Sequence, residues 1–107
     1  MSIHNSRINQ LLAFLEEDGK DSFTRFALAM EYLKVKEVEK ARNLFEYLIN
    51  NDPEYVGTYY HAGKLYEELN LLDLAIQTYS KGITISRNLN ELHTANELQQ
   101  ALDDLNL

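Results

Sequence analysis

The register of apolar and small residues in this chain returns after 34 positions, and that recurrence restricts the fold more than any other property of the sequence. Leu28, Ala29, Tyr32, Ala41 and Phe45 are answered by Ala62, Gly63, Tyr66, Ala75 and Tyr79. A period of this length holds two helices and their turns, and one such unit cannot bury its apolar face alone. Successive units must therefore stack, each on its neighbour. Ala29 and Gly63 are small where the two helices of a unit come close, as are Ala41 and Ala75 on the second helix. A larger side chain would block that approach. Tyr32 and Tyr66 fill space between pairs, and Phe45 and Tyr79 plug the hole toward the next helix.

Helical periodicity covers almost the whole chain. Residues 3–17 carry Ile8, Leu11, Leu12, Phe14 and Leu15 at helical spacing. Asp18-Gly19 ends that segment, with a glycine suited to the left-handed closing conformation. Asp21 or Ser22 caps a second helix that runs to about Val35. A third begins near Val38 and stops at Asn50-Asn51, since Pro53 prevents its continuation. The fourth covers about residues 54–69, and the fifth about 73–85 with Ala75, Ile76, Tyr79 and Ile83 on one face. The last starts near Asn90, read as its cap, and carries Leu92, Ala95, Leu98, Leu102 and Leu105. Short loops imply antiparallel neighbours. No stretch alternates apolar and polar residues long enough for a strand, so the expected class is all-α.

The recurring residues resemble the tetratricopeptide repeat (TPR): a bulky residue, leucine, glycine and tyrosine on one helix, alanine and phenylalanine on the next, then proline. The resemblance implies a right-handed α-solenoid of antiparallel helix pairs, about six helices forming one domain over residues 1–107. In that reading 3–17 is the helix of an N-terminal half-repeat, 22–55 the first repeat, 56–87 the second, and 90–105 a capping helix. The chain departs from the pattern at Arg25 and Tyr59, where the family prefers tryptophan, and at Arg87, which replaces the proline. Glu97, 34 residues beyond Gly63, cannot take the small-residue role. Repeats of this kind do no chemistry; they hold another protein. The implied function is a protein–protein interaction scaffold, not an enzyme, working without a cofactor.

Composition agrees with this expectation. A chain of 107 residues, 45% hydrophobic, is large enough to bury a core without staples. With no cysteine there is neither a disulfide framework nor a thiolate zinc site, which suits a reducing cytoplasm. Residues 1–10 hold Arg7 and polar residues where a signal peptide needs an apolar stretch. No segment approaches the roughly 20 apolar residues of a membrane span. Met1 and a capping final helix favour a complete protein. The net charge of −7 disfavours nucleic acid, which calls for a basic stripe. Lys34, Lys36, Lys40 and Arg42 are interleaved with Glu37 and Glu39, the pattern of a solvated turn and helix start.

In repeats of this family the first helix of each pair lines the concave face. Here that helix in the first repeat is apolar on more than one side. Beside the packing residues Leu28, Ala29 and Tyr32 runs a second stripe, Phe23, Phe26, Met30 and Leu33, with the spacing of one helical face. The second repeat has Gly57, Tyr60, Lys64 and Glu67 at those places, a more polar set. The candidate partner-binding residues are therefore Phe23, Phe26, Met30, Leu33, Tyr60 and Lys64. The aromatic rings and Met30 would anchor apolar side chains of an extended segment or helix, and Lys64 would meet a carboxylate. A competing reading buries Phe23 and Phe26 in ordinary packing. A third lets two copies cover one another's stripes as a homodimer. Family members that grip the acidic C-terminal tails of chaperones use groove lysines and asparagines. Phe26 and Met30 occupy such places here, and Tyr60 and His61 do not restore the pattern, so those tails are disfavoured.

Catalytic and metal motifs fail one by one. His4, His61 and His93 are far apart and form no two-histidine helical zinc motif. Asp18-Gly19 has Phe14 and Arg25 where a calcium loop needs its first and last acids. Glu67-Glu68 and Asp103-Asp104 are adjacent pairs, which on a helix point in different directions. Ser80-Lys81-Gly82 lacks a phosphate-cradling glycine turn. A pocket among Tyr60, His61 and Lys64 is the one place left for an enzyme or an enzyme subunit.

Overall fold

The structure, a computed structural model, describes residues 3–105. They form six helices and, among the described residues, no strand: α1 (Ile3–Glu17), α2 (Ser22–Lys34), α3 (Val38–Asn51), α4 (Gly57–Glu68), α5 (Leu72–Asn88) and α6 (Leu92–Asp104). The chain has the expected all-α helical repeat fold. It divides into two compact units, Met1–Asp52 and Pro53–Leu107.

In the first unit α2 packs against both α1 and α3. Ile8, Leu11 and Leu28 form a buried cluster, with Leu15, Tyr32, Val35 and Leu44 packed around it. Leu12 and Phe14 do not join this core; they are 40% and 57% exposed. The reason is that α1 packs on a single helix and so buries a single stripe. Ala41, Phe45 and Leu48 line the buried side of α3. Asp21 caps α2 by accepting the amide and the hydroxyl of Thr24, at 3.3 and 2.6 Å. Those bonds hold the Asp21 carboxyl below its usual pKa. Glu31 is the unexpected member of the core face. It is buried, with Arg7 of α1 at 3.4 Å and Lys34 at 3.2 Å, so its charge is matched as burial requires.

In the second unit α5 packs against α4 and α6, and α6 also touches α4. Two glycines let these helices approach. A Cβ on Gly63 would stand 2.2 Å from the Tyr79 ring, and one on Gly82 would stand 2.6 Å from Tyr59 and 2.8 Å from Leu98. Both rings are fully buried. The Gly63 contact is the close approach that the small-residue pattern calls for. Gly82 is a second one that the repeat pattern leaves unmarked.

Helix ends explain where boundaries shift. Lys36, Asn70 and Asn90 take left-handed backbone, with φ of 62°, 60° and 60°. Behind each, the next amide reaches back to the helix: Glu37 to the Tyr32 carbonyl, Leu71 to that of Tyr66, and Glu91 to that of Ser86. This is one closing motif used three times. No described glycine has positive φ, so Gly19 does not close α1 as its residue type suggests. Asn90 closes α5 instead of opening α6, whose N-cap is Glu91. The turn at Pro53 delays α4 to Gly57, and the Tyr59 hydroxyl donates to the Pro53 carbonyl at 2.6 Å.

Candidate functional site

The α2 stripe occupies the side left over once packing is satisfied. Leu28 and Ala29 are buried, whereas Phe23 is 64% exposed and Phe26, Met30 and Leu33 are half-buried. Phe26 is shared between face and core, because its ring lies 6.2 Å from that of buried Phe45 at a tilt of 53°. Phe23 is thus the stripe residue least engaged in packing. At the start of the same helix, Lys20, Ser22, Arg25, Tyr47, Asn51 and Asp52 surround a cleft of about 330 Å³. Arg25 stands at the place of the family's tryptophan. Its guanidinium lies over the Tyr47 ring at 4.0 Å and donates to the Gly19 carbonyl at 2.7 Å.

In the second unit Tyr60 and Lys64 of α4 come together in a depression of about 200 Å³ that α6 completes with Glu97, Gln100, Ala101 and Asp104. The Lys64 ammonium lies 5.5 Å above the Tyr60 ring and 3.6 Å from the Glu67 carboxylate. The expected role of Lys64, meeting a partner's carboxylate, therefore faces competition from within the chain. Glu67 in turn accepts a hydrogen bond from the Tyr79 hydroxyl. Burial first, and Glu67 second, raise the Tyr79 phenol above its ordinary pKa. His61 meets the edge of Tyr60 at 5.5 Å; burial pushes its pKa down and Glu97 works against that. The α6 residues escaped the sequence reading although 97, 100, 101 and 104 share one helical face, the signal that would have found them.

The arrangement resembles known proteins of one kind. A family model for the tetratricopeptide repeat matches residues 56–89. The solution structure of a tetratricopeptide repeat domain protein from Salinibacter ruber is 49% identical, with a TM-score of 0.78 over 81% of this chain and 88% of its own. The chain belongs to the tetratricopeptide repeat family. A crystal structure of such a domain protein from the same organism gives 49% identity and a TM-score of 0.76, covering 79% of this chain and 94% of that one. A crystal structure of MamA, 22% identical, shares the fold with a TM-score of 0.72 over 96% of this chain and 62% of its own. Among curated proteins there is no match.

Proteins built of tetratricopeptide repeats are generally non-catalytic scaffolds that bind other proteins. Among the described residues, no three of His, Asp or Glu gather to hold a metal ion, and no helix is long and apolar enough to cross a membrane.

Proposed function

We propose that this tetratricopeptide-repeat chain is a protein-interaction scaffold that does no chemistry of its own. Each first helix offers the partner the groove-lining face expected of it: α2 the stripe of Phe23, Phe26, Met30 and Leu33, and α4 the depression at Tyr60 and Lys64. The occupant is an extended segment or a helix with apolar side chains. One observation carries this reading. Phe23 stays 64% exposed at the head of a stripe whose other members, Phe26, Met30 and Leu33, are only half-buried, and a contiguous exposed apolar patch marks an interaction site.

The test is selection of peptides from a displayed random library against the wild-type chain and Phe23→Asp. Peptides enriched on the wild type should lose at least tenfold in affinity for the variant, about 1.4 kcal/mol. The variant's helicity and melting point should not change, because its side chain is exposed. Equal binding by both chains would remove the α2 face from the proposal. A molar mass of two chains that falls to one in Phe23→Asp would instead make a second copy the occupant.

A further inference from the structure

We infer that the depression between α4 and α6 receives a positively charged side chain of the partner, an arginine or lysine; this deepens the proposed function and rests on it. The lining carries one cation, Lys64, and two carboxylates, Glu97 and Asp104. Lys64 is already matched by Glu67 at 3.6 Å. Burial disfavours the charged form of His61 beside it, and Glu97 works against that. Glu97 has His93 at 3.6 Å, an imidazole that is 90% exposed to water and carries charge only when protonated. The Asp104 carboxylate accepts from the Gln100 amide at 2.8 Å, a neutral donor. Two acids thus face one depression without a fixed cation of their own.

The remaining walls suit a long cationic side chain. Tyr60, 36% exposed, offers a ring against which an aliphatic stem can lie. Ala101 is buried and small, which leaves depth beneath the carboxylates. The chain's net charge of −7 draws cationic segments toward it. By contrast, the corresponding stripe on α2 carries no charge at all, so the cationic preference belongs to the second unit.

The experiment uses three labelled peptides of equal length, alternating leucine with arginine, citrulline or glutamate. Binding is followed by fluorescence anisotropy and by amide shifts of the isotope-labelled chain. The arginine peptide should bind at least tenfold more tightly than the citrulline peptide and shift the amides of Tyr60, Glu97 and Asp104. High salt should erase the difference. The double variant Glu97→Gln/Asp104→Asn should abolish the tenfold preference. Glu16→Gln/Glu17→Gln removes the same charge from exposed α1 positions and should keep it. Equal binding of arginine and citrulline peptides, or equal weakening by both double variants, overturns the inference. Shifts confined to Phe23 and its neighbours overturn it while leaving the scaffold function standing; shifts nowhere, with any peptide, sink both.

Discussion

Set side by side at an offset of 34 residues, the two units fill the same template with opposite choices of size and polarity. In the first unit, Arg25 and Leu48 stand where the second unit has Tyr59 and Gly82. Bulk has moved from one helix to the other: the fully buried Tyr59 ring sits over a glycine, while Arg25 lies over Tyr47 and Leu48 fills the buried side of α3. Phe45 and Leu33 in the first unit become Tyr79 and Glu67 in the second, so a hydroxyl and its acceptor arrive as a pair. Glu31, buried beside Arg7, becomes Leu65 in the second unit, which has no counterpart of α1 to supply an arginine. The lesson is that at these positions the two units keep volume and polar pairing jointly, not residue by residue.

The sharpest way to break that comparison is at the small-residue position. Ala29 is accommodated in the first unit at 0% exposure, but a Cβ on Gly63 would meet three Tyr79 ring atoms within 2.7 Å. Gly63→Leu should unfold the second unit. Gly63→Ala should lose about 2 kcal/mol despite the better helix propensity of alanine. The reverse change, Ala29→Gly, should cost only about 1 kcal/mol, the usual helix penalty of glycine. Urea denaturation followed by circular dichroism measures all three. A Gly63→Ala chain as stable as the wild type would mean that the two units tolerate the same residue after all.

A smaller effect separates the aromatic plugs. Tyr79→Phe leaves Glu67 without its donor and should cost about 1.5 kcal/mol. Phe45→Tyr puts a hydroxyl into a buried site where Leu33 replaces the acceptor, and should cost about 2 kcal/mol. The Tyr79 pKa gives this pair a signature in alkali. Folding raises it above 10.0, so above that pH the unfolded chain releases the proton first and the native state is disfavoured. The stability this phenol contributes is therefore full below about pH 10 and falls as pH rises further. Tyr79→Phe should flatten that fall, and an unchanged alkaline slope in thermal melts would argue against the Tyr79–Glu67 bond.

Much of this was legible in the residues. The 34-residue register named Ala29, Gly63, Phe45 and Tyr79, because packing at a helix crossing depends on size and size is written in the sequence. The six helices followed from apolar spacing. Helix ends were less legible: left-handed backbone fell on Lys36, Asn70 and Asn90, set by the geometry of the closing turn, while Gly19 kept negative φ. The candidate site was half legible. The α2 stripe could be read from one helix, since an apolar face beyond packing needs shows in a single periodicity. The α4–α6 depression could not, because Glu97 and Asp104 meet Tyr60 only after α6 folds back on α4.

The finest test compares two threonines one repeat apart. The Thr24 hydroxyl donates to the Asp21 carboxylate at 2.6 Å and helps to cap α2. Thr58 stands at the same place in the second unit, 1% exposed, and its hydroxyl finds no hydrogen-bond partner among the described residues. Tyr55 replaces Asp21 there, so the acceptor has been lost and the donor kept. Valine has the shape of threonine without the hydroxyl. Thr24→Val should therefore lose about 1 kcal/mol, whereas Thr58→Val should be neutral or gain up to about 1 kcal/mol by removing a buried polar atom. Matched urea titrations read the difference directly. Equal losses at both sites would show that Thr58 is satisfied as Thr24 is, and that the two units differ less at their helix starts than their sequences imply.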